Sequence, residues 1–224
     1  NSNPPPEIFY AACRNYIHSY TYICYTPQTG IWIGSSPEIL LSGSQELWRT
    51  VALAGTQRMI DGNLPQQWDE KNRKEQEYVA SYIRHTLRLA EIEYIEKDPQ
   101  PAFAGSLAHL KSNFYFAIDN PSKVYEVLKM LHPTPAVCGL PKNKAYQYIL
   151  DNEGYDRSYY SGFIGWLDPE GQTDLYVNLR CMNISAAEVK LYAGGGLLSS
   201  SNKEDEWQET ENKLQTMRRL INTP

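Results

Sequence analysis

The 224-residue chain has few cysteines: Cys13, Cys24, Cys138 and Cys181 are widely spaced and form no CxxC pair. That spacing argues against both structural zinc and a disulfide framework, so a reducing cytoplasm is the expected setting. Long hydrophobic runs are missing, and no secretory signal pattern opens the chain. A soluble protein with no membrane partner is therefore expected. Excess positive charge is missing as well. With a formal net charge of −5 the protein is expected to bind no nucleic acid. A few cations or a metal ion focused in one pocket would still hold an anionic small molecule. No P-loop, dinucleotide fingerprint or nucleophile elbow is found. An initiator methionine is also absent, and Asn1-Ser-Asn-Pro-Pro-Pro6 reads as a cut or processed end. Proline fixes φ and removes donors, so Pro4 to Pro6 should be extended.

What is present in quantity is tyrosine, 17 residues, within an aromatic content of 12%. Tyrosine packs well on a pleated, half-buried surface, which favours sheet. A helical pattern from Ile8 to about Ser19 leads into a strand at Thr21–Thr26, a turn at Pro27–Gly30 and a partner strand at Ile31–Gly34. Strands at Ile39–Ser42 and Thr50–Ala54 follow. Val79, Ile83 and Leu87 recur every four residues in a long helix from about Gln66 to Glu91. A sheet segment at Ala104–Ile118 precedes helices near Ser122–Leu131 and Lys142–Asn152. Strands then return at Tyr159–Trp166, Leu175–Met182 and Val189–Ala193. A final helix from about Asn202 would turn Trp207, Leu214, Met217 and Ile221 inward. Hairpins interrupted by isolated helices indicate one α+β domain over residues 1–224, with antiparallel sheets packed as a sandwich between flanking helices.

Several residues could carry chemistry. Glu206, Glu209 and Lys213 share one face of the final helix by their i, i+3, i+7 spacing, which equally suits a solvated face with an ion pair. Before them, Ala193-Gly-Gly-Gly196 would let backbone amides approach a ligand or simply turn the chain. Arg180, in a strand, could grip a carboxylate with both arms of its guanidinium or point into water from a sheet edge. Glu75 lies in the charge run Glu70–Glu77, ordinarily a wet surface. Glu38 follows Ser-Ser-Pro, and His109 stands in an apolar strand, where core histidines are common. Singly, none of these decides a function.

Together they form a series. Gly34-Ser-Ser-Pro-Glu38, Leu53-Ala-Gly-Thr56, Leu131-His-Pro-Thr-Pro-Ala-Val-Cys-Gly-Leu-Pro141, Tyr155-Asp-Arg-Ser-Tyr-Tyr-Ser-Gly-Phe-Ile-Gly-Trp166, the Ala193–Gly196 turn and Glu206-Trp-Gln-Glu-Thr-Glu-Asn-Lys213 occur in one order. This order resembles that of the chorismate-binding enzymes, which comprise isochorismate, salicylate, anthranilate and aminodeoxychorismate synthases. The resemblance runs from about Phe9 to the end. It implies a Mg2+ site with Glu75 and Glu209 as ligands and Glu206 close by, in keeping with an ion that takes one or two carboxylates plus water and substrate oxygen. It also implies that Arg180, Lys213 and the backbone amides of Gly55 and Gly194 hold the two carboxylates of chorismate. Thr56, Tyr160, Ala136 and Val137 would line the pocket, with His109 beside the ring. Glu38 matches the general acid that protonates the leaving C4 hydroxyl, so its pKa should be raised by burial or by neighbouring negative charge.

Pro133-Thr-Pro-Ala-Val-Cys-Gly139 resembles the isochorismate-forming branch, whereas nitrogen-transferring members usually carry Gly-Thr or Gly-Ser where Pro135-Ala136 stands. Salicylate synthases are nearer relatives and stay open, as does a non-catalytic ligand-binding domain of the same fold. The family tendency is monomeric. Isochorismate synthases activate water with a lysine ahead of the helix read at Ile8. The chain is therefore expected to be a fragment that binds Mg2+ and turns over poorly alone. An assay of this chain with chorismate and Mg2+ tests that expectation, and substantial turnover would require a base among the residues present.

Overall fold

The polypeptide repeatedly forms hairpins, and two of its strands leave one sheet to enter another. The computed structural model describes residues 3–221 apart from 46, 60, 105 and 106. Helix α1 (Pro5–Asn15) leads into a hairpin of β1 (Tyr20–Thr26) and β2 (Gly30–Ser36). A second hairpin, β3 (Ile39–Ser44) with β4 (Leu47–Arg58), precedes the long helix α2 (Glu70–Leu89). Short strands β5 (Tyr94–Glu96) and β6 (Gln100–Ala104) pair with successive stretches of β7 (Leu107–Phe116). Helices α3 (Pro121–Leu131) and α4 (Lys142–Asn152) follow. Strands β8 (Phe163–Trp166), β9 (Gln172–Val177), β10 (Cys181–Ile184) and β11 (Val189–Tyr192) lead to the closing helix α5 (Lys203–Ile221).

The strands form two sheets in which every described pairing is antiparallel. One has the order β1-β2-β10-β11; the other runs β5-β7-β4-β3-β9-β8, with β6 also on β7. Helices α1 and α5 cover the first sheet, where Ile8, Ala12, Met217 and Leu220 bury Ile33 and Met182. The second is covered by α2 and α3, whose Ile83, Leu87, Val127 and Leu131 pack on Leu41, Trp48, Phe114 and Val177. Between the sheets, Tyr20 stacks on Tyr176 with ring centroids 4.7 Å apart, and Ile164 packs against Tyr22, Trp32 and Cys181. This is the α+β sandwich with flanking helices expected from the sequence. Among the described residues, no helix is long and apolar enough to cross a membrane.

Two adjacent crossovers join the sheets. After Ser36 the chain leaves the first sheet, turns through Pro37 and Glu38, and enters the second as β3. After Val177 it makes the reverse passage through Asn178, Leu179 and Arg180 into β10. Backbone hydrogen bonds tie the passages together: Val177 N donates to Glu38 O (2.9 Å) and Ser35 N to Arg180 O (3.1 Å). The Ser36 hydroxyl adds a bond to Val177 O. Strands that change sheets form the corners of such sandwiches.

The structure corrects several expectations. Pro5 and Pro6 lie in the first turn of α1, where a missing N–H breaks no bond; α1 ends at Asn15, not Ser19. Asp69 caps α2 by accepting from Asn72 N, so that helix starts four residues later than Gln66. In the segment read as a strand from Ala104, Gly105 and Ser106 lie outside the described residues. The strand placed at Tyr159 begins at Phe163, after a loop with positive φ at Ser158 and Ser161. Leu175–Met182 is not one strand: the sheet change divides it, leaving Arg180 at φ 46° and buried, neither in a strand nor in water. Trp207 is 62% exposed rather than inward-facing, while Glu206, Lys213, Thr216, Met217 and Leu220 form the buried stripe of α5.

Helix α4 has no buried residue, and its first residue fastens it. The Lys142 ammonium donates to Met130 O (3.0 Å), His132 O (2.9 Å) and the Tyr82 hydroxyl (2.9 Å), satisfying carbonyls at the end of α3. Substituting Lys142→Met should lower stability by about 1–2 kcal/mol, read from urea unfolding midpoints, because a neutral thioether takes the donor from His132 O, whereas Met130 O keeps the Tyr82 hydroxyl at 2.6 Å.

Candidate active site

The two crossovers bring a carboxyl and a guanidinium into the interior. Glu38 is 2% exposed, and burial pushes its carboxyl up to about 7. The Thr134 hydroxyl, donating to Oε1 at 3.2 Å, and the charges of Arg180 and Lys213 work in the opposite direction. Arg180, on the return crossover, is 5% exposed. Its left-handed backbone is uncommon for a side chain of this size and is held by the Ser35 N–H on its carbonyl. The guanidinium Nη2 donates to His109 Nε2 at 3.2 Å, and Nε is buried without a partner among the described residues.

His109 is thereby fixed in one tautomer. Its Nδ1 lies 2.9 Å from the Gly55 carbonyl, which can only accept, so Nδ1 carries the proton and Nε2 receives the Arg180 bond. Burial, followed by the charges of Arg180 and Lys213, holds the imidazole well below its ordinary pKa, and the ring is neutral. Gly55 forms a bulge where the β4–β7 register shifts between Ala54 and Thr56. Its φ is +75°, and a Cβ there would meet Asn72 O at 2.6 Å, so only glycine fits. Thr56 N donates to Asn72 Oδ1 at 2.7 Å, while Asn72 N and Nδ2 donate to the two carboxylate oxygens of Asp69, each at 2.8 Å. The cap of α2 thus fixes the bulge, the bulge fixes His109, and His109 holds Arg180.

One turn beyond Asn72, α2 presents Glu75; α5 presents Glu206, Glu209 and Lys213. Lys213 Nζ is 2.6 Å from Glu209 Oε1 and donates to Gly194 O at 3.0 Å. Burial works to raise the Glu209 carboxyl, but the charge and hydrogen bond of Lys213 hold it below the ordinary carboxylate range. For Glu75, burial and then the Glu209 charge push the carboxyl up to about 7. Glu206 Oε1 takes Lys71 Nζ at 2.7 Å and the Ser201 hydroxyl at 2.5 Å, whereas Oε2 is buried with no hydrogen-bond partner among the described residues. These carboxylates converge on the glycine turn. A Cβ on Gly195 would stand 3.6 Å from Glu206 Oε2 and 3.7 Å from Glu209 Oε1, and one on Gly196 would stand 3.6 Å from Glu75 Oε1. Among the described residues no group of three or more His, Cys, Asp or Glu side chains is placed to hold a metal ion by itself. What the turn borders is an open acidic rim with one orphaned oxygen.

The remaining sequence-selected residues also reach this region. The Tyr160 ring stacks on Tyr192 at 5.3 Å, and a Cβ on Gly194 would come within 2.9 Å of its hydroxyl. Burial raises the Tyr160 phenol to about 12. Ala136 and Val137 lie on the α3–α4 loop, where Val137 N donates to Thr134 O at 3.1 Å and Val137 O accepts from Arg157 Nη1 at 2.8 Å. Thr134, Asn72, Lys71 and Arg157 were not singled out from the sequence. Thr134 and Arg157 sat inside quoted motifs, whereas Asn72 and Lys71 were lost in the charge run. Only the asparagine standing three residues after a capping aspartate offered a signal.

The chain belongs to the chorismate binding enzymes, whose family pattern matches residues 2–222. The isochorismate synthase EntC of Escherichia coli K12 is 32% identical over 207 residues, covering 89% of this chain and 53% of that protein. The solved structure of MenF, the menaquinone-specific isochorismate synthase of Escherichia coli, superposes with a TM-score of 0.85 at 32% identity, over 96% of this chain and 52% of that one. Anthranilate synthase component I of Streptococcus pneumoniae shares the fold, with a TM-score of 0.80 at 24% identity over 98% of this chain and 50% of that one. The chain spans about half the length of the curated relatives it matches.

Because its folded pKa lies above the ordinary value of 4.5, Glu38 keeps a proton that the unfolded chain releases. The associated stability is fully present below pH 4.5 and is lost as pH rises through about 7. Glu38→Gln should remove this slope, so urea unfolding from pH 4.5 to 8 should show the parent losing ground to the variant by up to about 1.4 kcal/mol per pH unit.

Proposed function

We propose that these residues form the chorismate-binding and acid-catalytic part of a Mg2+-dependent, cytoplasmic isochorismate synthase. The observation that carries this reading is a fully buried Glu38 carboxyl, with a pKa pushed up to about 7, in the electrostatic field of Arg180 and Lys213. A dianionic substrate needs cations to hold it, and a hydroxyl leaving group needs a proton. Arg180 and Lys213 would supply the first and Glu38 the second.

Arg180, with its free buried Nε and its Nη2 fixed by His109, would receive one substrate carboxylate. Neutral His109 orients that guanidinium and presents its ring to the pocket, while Tyr160, Ala136 and Val137 shape the wall. Lys213 and the Gly194–Gly196 turn would face the other carboxylate. Glu38 would deliver its proton to the C4 hydroxyl, which leaves as water. A second water adding at C2 would complete the isomerisation, its extra proton passing to the water-activating lysine that the family resemblance implies. The residues suit a hard divalent cation that takes one or two carboxylates plus water and substrate oxygen. Among the described residues Glu206 Oε2 is unpartnered, the Lys71 and Lys213 charges act on Glu75 without a direct bond, and both carboxylates border the glycine turn. When bound, Mg2+ would place positive charge beside the substrate carboxylate and favour departure of the hydroxyl. Pro135-Ala136 in the loop, together with relatives that are isochorismate synthases, supports this branch over nitrogen transfer.

The test is product analysis by chromatography and mass spectrometry on the complete gene product, with chorismate and Mg2+, with and without ammonium. An isomer of unchanged mass, dependent on Mg2+ and indifferent to ammonium, is expected. Glu38→Gln should reduce its formation at least about 100-fold. Salicylate with pyruvate, or an aminated product, would move the enzyme to a sister branch. Bound but unconverted chorismate would favour a non-catalytic binding domain.

A further inference from the structure

A carboxylic acid that protonates a leaving group must carry its proton on the oxygen turned towards that group. Glu38 has two oxygens, and only one is engaged by Thr134. The Thr134 side chain is 8% exposed, and Glu38 Oε1, at 3.2 Å, is the hydroxyl's hydrogen-bond partner among the described residues. The threonine is itself held firmly. Val137 N and Cys138 N both donate to its carbonyl at 3.1 Å, and Arg157 Nη1 binds Val137 O at 2.8 Å. On the other side, Lys142 clamps His132 O at 2.9 Å. Such anchoring leaves the hydroxyl little freedom to follow a wandering carboxyl.

We propose that Thr134 is a positioning residue for Glu38: by donating to Oε1 it assigns the transferable proton to Oε2. A protonated carboxyl has one O–H and one carbonyl oxygen, and the oxygen that accepts from Thr134 is the carbonyl. The inference rests on the acid role assigned to Glu38 above. The charged groups facing Glu38 are Arg180 and Lys213, and both favour its anion, as does the Thr134 bond. Removing that bond therefore frees the carbonyl and makes the acid harder to ionise.

The experiment compares the complete gene product with its Thr134→Val, Thr134→Ser and Glu38→Gln variants. Infrared difference spectra of parent minus Glu38→Gln identify the carbonyl band of protonated Glu38. In Thr134→Val that band should move to higher wavenumber and disappear at a pH about one unit higher. Its kcat for chorismate should fall about tenfold with KM little changed. Thr134→Ser, which keeps the hydroxyl, should retain the parent band, midpoint and kcat. An unshifted band in Thr134→Val, or a serine variant that behaves like valine, would overturn the proposal. Parent-like turnover by Glu38→Gln would instead overturn the acid role of Glu38, while the infrared shift would still report the Thr134 contact on its own.

Discussion

The site depends on burying an acid and a base where the chain changes sheets. A residue inside a regular ladder can place its side chain only on one face or the other, whereas a crossover has backbone directions that neither sheet offers. Glu38 and Arg180 occupy two such passages, bonded to each other's neighbours through Val177 and Ser35. An isolated buried charge is severely penalised. Here Glu38 answers by retaining a proton, and Arg180 answers through His109 and the charge of the Glu209 carboxylate. Neither solution is complete: Arg180 Nε has no partner among the described residues. That unspent hydrogen-bonding capacity distinguishes a receptive pocket from a satisfied core.

Support for the pocket is layered. Asp69 caps the start of α2 with its carboxylate on Asn72; Asn72 holds Thr56; the bulge at Gly55 offers its carbonyl to His109. Each member has its orientation set by the preceding one, and the last is a guanidinium whose direction matters to within the reach of a hydrogen bond. On the opposite wall, Lys142 and Arg157 secure the α3–α4 loop by its carbonyls, beside the packing of Val137 against the core. Polar fastening suits a loop that must line a cavity without filling it.

Much of this was legible in the sequence because hairpins and long helices have strong periodic signals, and because the motif residues stand in one order. The sandwich and most of its elements follow from β-branched and aromatic runs punctuated by Gly and Pro. What periodicity could not show was the division of Leu175–Met182. Its alternation of apolar and polar residues reads as a single strand, and the break at Asn178–Arg180 is imposed by pairing to two different sheets. The inward turn of α5 was hidden for a similar reason. Hydrophobicity nominated Trp207, but that stretch of helix faces the glycine turn, where Glu206 and Lys213 are buried instead. The support residues Asn72 and Thr134 act through single long-range hydrogen bonds, which leave no periodic trace.

The closing helix is therefore two kinds of helix in succession. Its second half is glued down by Met217 and Leu220 against α1 and the first sheet, while its first half meets the protein through carboxylates and a lysine. Mechanically it is a cantilever, rooted at the C-terminal end and tethered by charge at the other. A small tilt about that root would carry Glu206 and Glu209 together relative to Glu75 on α2.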